Sequence, residues 1–397
     1  MNYILFDEPY LREKLKPLTF LRPIADLRIG ILTLKEKWEK YLNKQCSYST
    51  APYLERYFTH RIEKDNLLIN ASICPNKEVV EAINRLAPNE ALIQENLILA
   101  LHVQVKHPGE VSHLEISTQN FSLVYYNEPL VIIKQLTDIF SYNGAEIEAD
   151  FELITRNRTS QPILDNHVIT YKPENIFVEE GAKIKACILN AERGKIYIGK
   201  NADIQEGSII QGSFALCEGA TINIGAKIRP DTTIGPYCKV GGEVSNSVFL
   251  GYSNKAHDGF LGNSVIGEWC NLGADTNSSN LKNNYASVRL WSYPDNEFVD
   301  TGKQFCGLIM GDHSKCGINT MFNTGTVVGI ACNIFGSGFP SKFIPSFSWG
   351  GAEGFTLHQI DKVLETAQRV VERRGKTLSE KDKNLLTYLF EERTRRY

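Results

Sequence analysis

The sequence has no CxxC pair, no apolar run of membrane-spanning length and almost no charge imbalance. Each absence excludes something. Without cysteines at redox or metal-ligand spacing, a zinc ribbon or a thioredoxin-type centre is ruled out. The nine cysteines are an odd number, and they read as free buried thiols in a reducing compartment. Without about 20 consecutive apolar residues, no transmembrane helix and no membrane partner are expected. A net charge of −3 leaves no basic footprint for nucleic acid. The opening Met1-Asn2-Tyr3-Ile4-Leu5-Phe6-Asp7 lacks a basic n-region and a long h-region, so a signal peptide is not expected and the cytoplasm is the default location. At 397 residues the chain has room for two or three domains.

What is present is a ladder of period six. Ile198, Ile204, Ile210, Leu216, Ile222, Ile228, Ile234 and Val240 follow one another at that spacing without a miss. Four residues after the rungs the side chains are small, as at Ala202, Ser208, Ala220, Ala226, Thr232 and Cys238, with Phe214 the exception. The ladder resumes as Phe260, Ile266 and Leu272, then as Met310, Cys316, Phe322, Val328 and Ile334. Small residues keep step again at Ser264, Cys270 and Thr276, then at Ser314, Thr320, Thr326 and Cys332. No helix has period six, and a plain strand has period two. An apolar rung with a small follower is the hexapeptide signature of a parallel β-helix. Each hexad supplies a short strand and a turn, and three close one triangular coil. The rungs stack inside, and the small residues sit at corners too tight for bulk.

With Val178 and Ile184 as early rungs, the coil is expected from about Ile176 to Ile334. The register slips around Glu243 to His257, and the ladder is missing between Thr276 and Cys306, where Asn and Ser abound. Insertions leave a solenoid from one face, often the binding face. Residues 1–165 read as an α/β domain. Strands are expected at 3–6, 66–69, 91–93, 97–105 and 121–126, a helix capped by Asn76, and a connecting helix over 129–142. Residues 166–350 hold the β-helix. Residues 351–397 are a helical tail, with stripes at Leu357, Ile360, Val363, Leu364, Ala367, Val370 and Val371, then Leu378, Leu385, Leu386, Leu389 and Phe390. The expected role of the tail is to cover the open end of the coil; an arm that docks a partner is the alternative.

This layout resembles the bifunctional N-acetylglucosamine-1-phosphate uridyltransferase/glucosamine-1-phosphate acetyltransferase family. Lys255-Ala256-His257-Asp258-Gly259-Phe260-Leu261-Gly262 is similar to its KAGHxxYLG segment, Asn271-Leu272-Gly273-Ala274 to its NIGAG, and Arg229-Pro230 to its RPG turn. Asn280 falls on the Asn of NYDG, and Glu243 stands fourteen residues before His257, as the family's sugar-contacting Glu does. The resemblance implies a left-handed coil and acyl transfer from acetyl-coenzyme A to an amino-sugar phosphate or nucleotide sugar. It implies His257 as the catalytic base, Arg229, Glu243, Asn271 and Asn280 as substrate contacts, Ala274 as an acyl-donor contact, and a homotrimer. Ser245 stands where the family has a phosphate-binding Lys, and Phe260 where it has Tyr.

At the N-terminus, Leu11-Arg12-Glu13-Lys14-Leu15-Lys16-Pro17-Leu18-Thr19 is similar to the GTRLxPLT portion of sugar-phosphate nucleotidyltransferases, which implies nucleotide contacts by Arg12 and Lys16. Asp7-Glu8-Pro9-Tyr10 replaces the glycine-rich phosphate loop, and Asn70 replaces the metal-binding Asp. Glycine lets a backbone approach phosphate, and Glu and Pro do not. This domain is expected to be diverged, with Mg²⁺ involved only if it is active. A non-catalytic sugar-nucleotide-binding or structural β-helix protein is the alternative function. A zinc enzyme on the same coil would need three His ligands; the coil offers His257 and His313, so no metal is expected there.

Overall fold

The computed structural model describes residues 1–108 and 116–396. The chain forms two compact units. One comprises Met1–Leu15, Arg22–Leu27 and Leu32–Lys134; the other comprises Lys16–Leu21, Arg28–Ile31 and everything from Gln135 onward.

The first unit is built on a six-stranded mixed sheet in the order Cys46–Ser49, Asn2–Phe6, Asp65–Asn70, Leu97–Gln104, Glu90–Gln94, Ser122–Tyr125. The expected strands are all present. The helix Lys77–Asn84 starts where the Asn76 side chain accepts the Val79 N–H at 2.8 Å, which satisfies a donor that the first turn leaves open. The sequence reading missed the helix Leu34–Leu42, although Thr33 and Glu36 form a capping box there.

In the second unit, three long sheets of six, nine and ten strands run along the chain direction. Their strands pair in parallel at one-coil intervals: Ile204 faces Ile222, Ile222 faces Val240, and Leu216 faces Ile234. This is the parallel β-helix that the hexads predicted. The rungs from Ile198 to Val240 are almost completely shielded from solvent and form one continuous core. The coil begins at Ile169–Tyr171 and extends to Ser348–Gly351, past both expected ends. All nine cysteines are buried, and no two are joined. Burial pushes the Cys187 and Cys238 thiols up to about 12, so they remain protonated and inert.

Three expectations are corrected. The connecting helix runs Leu136–Thr155, later than 129–142, because Gln135 and Asp138 supply its capping box. It packs along the flank of the coil, where Asn143 Nδ2 donates to the Asp231 carbonyl at 2.9 Å. Phe260 is not a rung; Leu261 enters the core and Phe260 faces outward. Between Val240 and Leu261 the coil is shortened rather than interrupted. Val244 and Phe249 are core residues on steps shorter than six, so the period is locally lost while the stacking continues. Finally, the helices Ile360–Glu372 and Glu380–Arg396 do not simply close the open end. They pack on Trp269, Ala331 and Phe347 along one corner column, and Arg374 donates to Asn254 at 2.8 Å. Phe355, from the terminal hairpin Ser348–Gly351/Gly354–Leu357, is what packs against the coil core.

Candidate active site

The corner that joins Asn254–Lys255 to Phe260–Gly262 carries His257. Its side chain is exposed. Among the described residues no hydrogen bond or ion pair holds the imidazole; the loop is held by its backbone instead. Asn223 Nδ2 donates to the Ala256 carbonyl at 2.8 Å, and Lys255 Nζ donates to the His257 carbonyl at 2.9 Å. Gly259 lies at φ +112°, and a β-carbon there would meet the Thr276 carbonyl at 2.2 Å. The His257 corner therefore stacks directly on the next coil's corner at 273–276, which contains Ala274. The Ala274 carbonyl accepts the Asn319 N–H at 2.8 Å. Asn271 is exposed on the preceding strand, in register with Asn254.

Beside this corner lies a cleft of ≈ 430 Å³ lined by Arg229, Ser245, Asn246, Phe260, Asn263, Asn280 and Phe305. The coil face supplies most of these residues, since Glu243 pairs with Phe260 across adjacent strands. The segment missing from the ladder supplies Asn280 and Phe305. That insertion carries a hairpin, Arg289–Ser292/Glu297–Asp300, whose Trp291 stacks on Phe343 at 4.1 Å. Asn280 is fixed by donating to Asn263 at 2.8 Å. Arg229 lies 3.4 Å from Glu243, both partly exposed. Such a pair contributes little to stability, so both groups are available to a ligand. The cleft's polar groups are one guanidinium, three carboxamides and a hydroxyl, beside two aromatic rings. That set suits a sugar, whose hydroxyls take hydrogen bonds and whose ring faces are apolar.

Of the expected site residues, the fold thus gathers Arg229 and Asn280 in one cleft, with Glu243 reaching it through Arg229. His257, Asn271 and Ala274 lie outside its lining, on the neighbouring corner and strand. Asn246, Asn263 and Phe305 were not singled out from the sequence. Phe305 lies in the segment without a ladder, so period alone could not place it.

In the first unit, Arg12 is buried. Its guanidinium donates to Asp7 at 2.6 Å, to the Arg22 carbonyl at 3.1 Å and to Tyr53 Oη at 3.0 Å. Asp7 also accepts the Ile24 N–H at 2.9 Å. Where a phosphate loop would lie, Glu8 instead caps a short helix, Pro9–Lys14, by accepting the Leu11 N–H at 2.7 Å. Asn70 Oδ1 accepts from Ser72 N at 3.0 Å and Ser72 Oγ at 2.7 Å, while its amide donates to the Ile98 carbonyl. Lys16, which belongs to the second unit, is half-buried, with its ammonium 5.1 Å from the Phe20 ring. Among the described residues no three His, Cys, Asp or Glu side chains cluster to hold a metal ion.

Residues 3–159 match the family model described as sugar nucleotidyl transferase. Over 386 residues the chain is 25% identical to a bifunctional sugar-1-phosphate nucleotidylyltransferase/acetyltransferase from Sulfurisphaera tokodaii, covering 81% of this chain and 93% of that one. The chain is thus similar, along most of its length, to a bifunctional nucleotidylyltransferase/acetyltransferase. The bifunctional protein GlmU of Methanocaldococcus jannaschii is 32% identical over 219 residues, which is 46% of this chain and 52% of the relative. For the Rippkaea orientalis GlmU the match covers 43% of the relative; the chain thus spans about half or less of these two proteins. Among solved structures, the polySia-specific acetyltransferase NeuO overlaps 53% of this chain and 96% of its own, with 13% identity and a TM-score of 0.29. No helix among the described residues is long and apolar enough to cross a membrane.

Proposed function

We propose that this GlmU-like chain transfers an acetyl group from acetyl-coenzyme A to the amine of an amino-sugar phosphate or nucleotide sugar, in the cytoplasm. The observation that carries the reading is an exposed His257, its ring without a hydrogen-bond or ion-pair partner among the described residues, on the corner beside a cleft suited to a sugar. The amine nitrogen attacks the thioester carbon, His257 accepts the amine proton, and the coenzyme A thiolate leaves. An imidazole unengaged by the protein suits that task. Arg229, Glu243, Asn271 and Asn280 contact the sugar substrate, and Ala274, on the adjoining coil, contacts the acyl donor. The test is release of coenzyme A thiol from acetyl-coenzyme A in the presence of amino-sugar acceptors. The protein's own thiols are buried and will not interfere. No release with any acceptor, and no thermal shift with coenzyme A, would leave the non-catalytic alternative.

The chain is expected to act as a homotrimer. Ile224 and Ile318, on corners before and after that of His257 in the same column, are 71% and 70% exposed. Apolar side chains flanking a polar site along one edge suit burial against a second copy. Light scattering at micromolar concentration should give three times the monomer mass. A monomer that still binds coenzyme A would refute both the trimer and a site shared between subunits.

Nucleotidyl transfer by residues 1–165 is the second possible activity. It would need Mg²⁺ and cations for the nucleotide phosphates. Arg12 is committed to Asp7, Asn70 is neutral and its side-chain oxygen already accepts two hydrogen bonds from Ser72, and a proline-led helix occupies the place of the glycine loop. The expected result is therefore little Mg²⁺-dependent pyrophosphate release from nucleoside triphosphates and sugar phosphates. Robust turnover would show that other groups have taken over the phosphates.

A further inference from the structure

One position in the coil interior departs from its neighbours. Lys255 lies in register with the rung Val240. It is 1% exposed, in a column where the preceding residues are Ile204, Ile222 and Val240. A cation is a poor choice for such a place unless its hydrogen bonds are met. Here they are met entirely by backbone carbonyls: His257 at 2.9 Å, Asp258 at 3.2 Å and Gly241 at 3.4 Å. Two of these three carbonyls belong to the corner that carries His257.

The shape of the coil explains the need. Other corners of this column are tied to one another by a backbone bond: Gly207 N–H to Ala186, Gly225 N–H to Glu206, and Asn319 N–H to Ala274. The step from Val240 to Val244 is short, and its corner consists of Gly241 and Gly242 alone. That shortening removes the corner carbonyl which would have accepted an N–H from the next one. A β-carbon at Gly242 would come within 2.9 Å of Lys255 Nζ and 2.7 Å of the Gly259 carbonyl, so the ammonium fills the gap from inside. Burial pushes the Lys255 ammonium down to about 8, against the pull of Asp258 and Asp275; it remains largely protonated at neutral pH.

We infer that Lys255 is a positioning residue that holds the His257 corner in place from within the coil, across the gap left by the shortened Gly241–Gly242 turn. This rests on His257 being the base of the acyl transfer proposed above. Because two of the tied carbonyls belong to the exposed end of the corner, water can replace the ammonium there, and Lys255→Met keeps the apolar stem in the core.

The test is Lys255→Met in the full chain, read by amide hydrogen exchange and by steady-state kinetics. Exchange at residues 256–259 should rise roughly tenfold or more with the other coils unchanged, since opening is local. The kcat for acetyl transfer should fall roughly 10²-fold, the scale for misplacing a catalytic group by about 1 Å, with KM for acetyl-coenzyme A unchanged within about twofold. Unchanged exchange at this corner would overturn the inference. So would exchange rising along every coil, which would make Lys255 a stability residue only. If the wild-type protein transfers no acetyl group, the proposed function fails, and the exchange measurement still decides whether Lys255 holds the corner. If Lys255→Met does not fold, Lys255→Gln carries the same readouts, because it shortens the side chain and removes its charge while keeping an N–H donor.

Discussion

Replacing His257 by Ala is expected to slow acetyl transfer roughly 10²–10⁴-fold, the usual worth of a general base, and to leave melting unchanged within about 1 °C. Both halves come from the same geometry. The imidazole is exposed and packs into no core, so truncating it creates no cavity. The corner is held through the Ala256 and His257 carbonyls by Asn223 and Lys255, and through the close approach of Gly259 to Thr276. None of these contacts uses the ring. Thiol release and a thermal melt on the same preparation check the prediction. A rate equal to wild type would remove His257 from the mechanism, whereas a large drop in melting temperature would mean that the ring has a structural role.

Ile222→Asp should have the opposite profile, with stability lost first. Ile222 has no solvent exposure and stacks between Ile204 and Val240 on successive coils. A carboxylate there has no hydrogen-bond donor facing it, because the neighbouring N–H groups are committed to the parallel ladder: Asn223 N–H, for example, donates to the Val240 carbonyl at 2.8 Å. The side chain must either ionise in an apolar interior or stay protonated and unpaired. Either costs roughly 4–5 kcal/mol. At about 2–4 °C per kcal/mol for a unit of this size, the melting temperature should fall by roughly 10–15 °C. Calorimetry or circular dichroism decides it, and a wild-type melt would show that position 222 does not face the core. Lys255 is an instructive contrast, since its charge reaches three carbonyls at the coil edge, whereas a carboxylate in place of Ile222 would reach no donor.

The coil was legible in the sequence because its period is a direct readout of burial. Each rung repeats the same environment, and eighteen residues return the chain to its starting face, as from Ile204 to Ile222. Where a coil is shortened, that arithmetic fails. Phe260 stands six residues before the rung Ile266, yet Leu261 is the buried residue, because the step from Leu261 to Ile266 is only five. The position of Lys255 inside the core was hidden for the same reason. His257, Arg229 and Asn280 could be picked out by resemblance, but not their grouping. Only the folded chain puts Arg229 beside Phe305, because the insertion after Thr276 folds back onto a coil begun far earlier in sequence. The loss of the phosphate loop was visible from Glu8 and Pro9, whereas the pairing of Arg12 with Asp7 was not: it also depends on Arg22, Ile24 and Tyr53, which other segments bring to the same place. The sequence alone determined the repeating core, since periodic burial is a local property of the chain. Tertiary structure decided the cleft, the side-docked tail and the support beneath His257, since these depend on which coils lie next to each other.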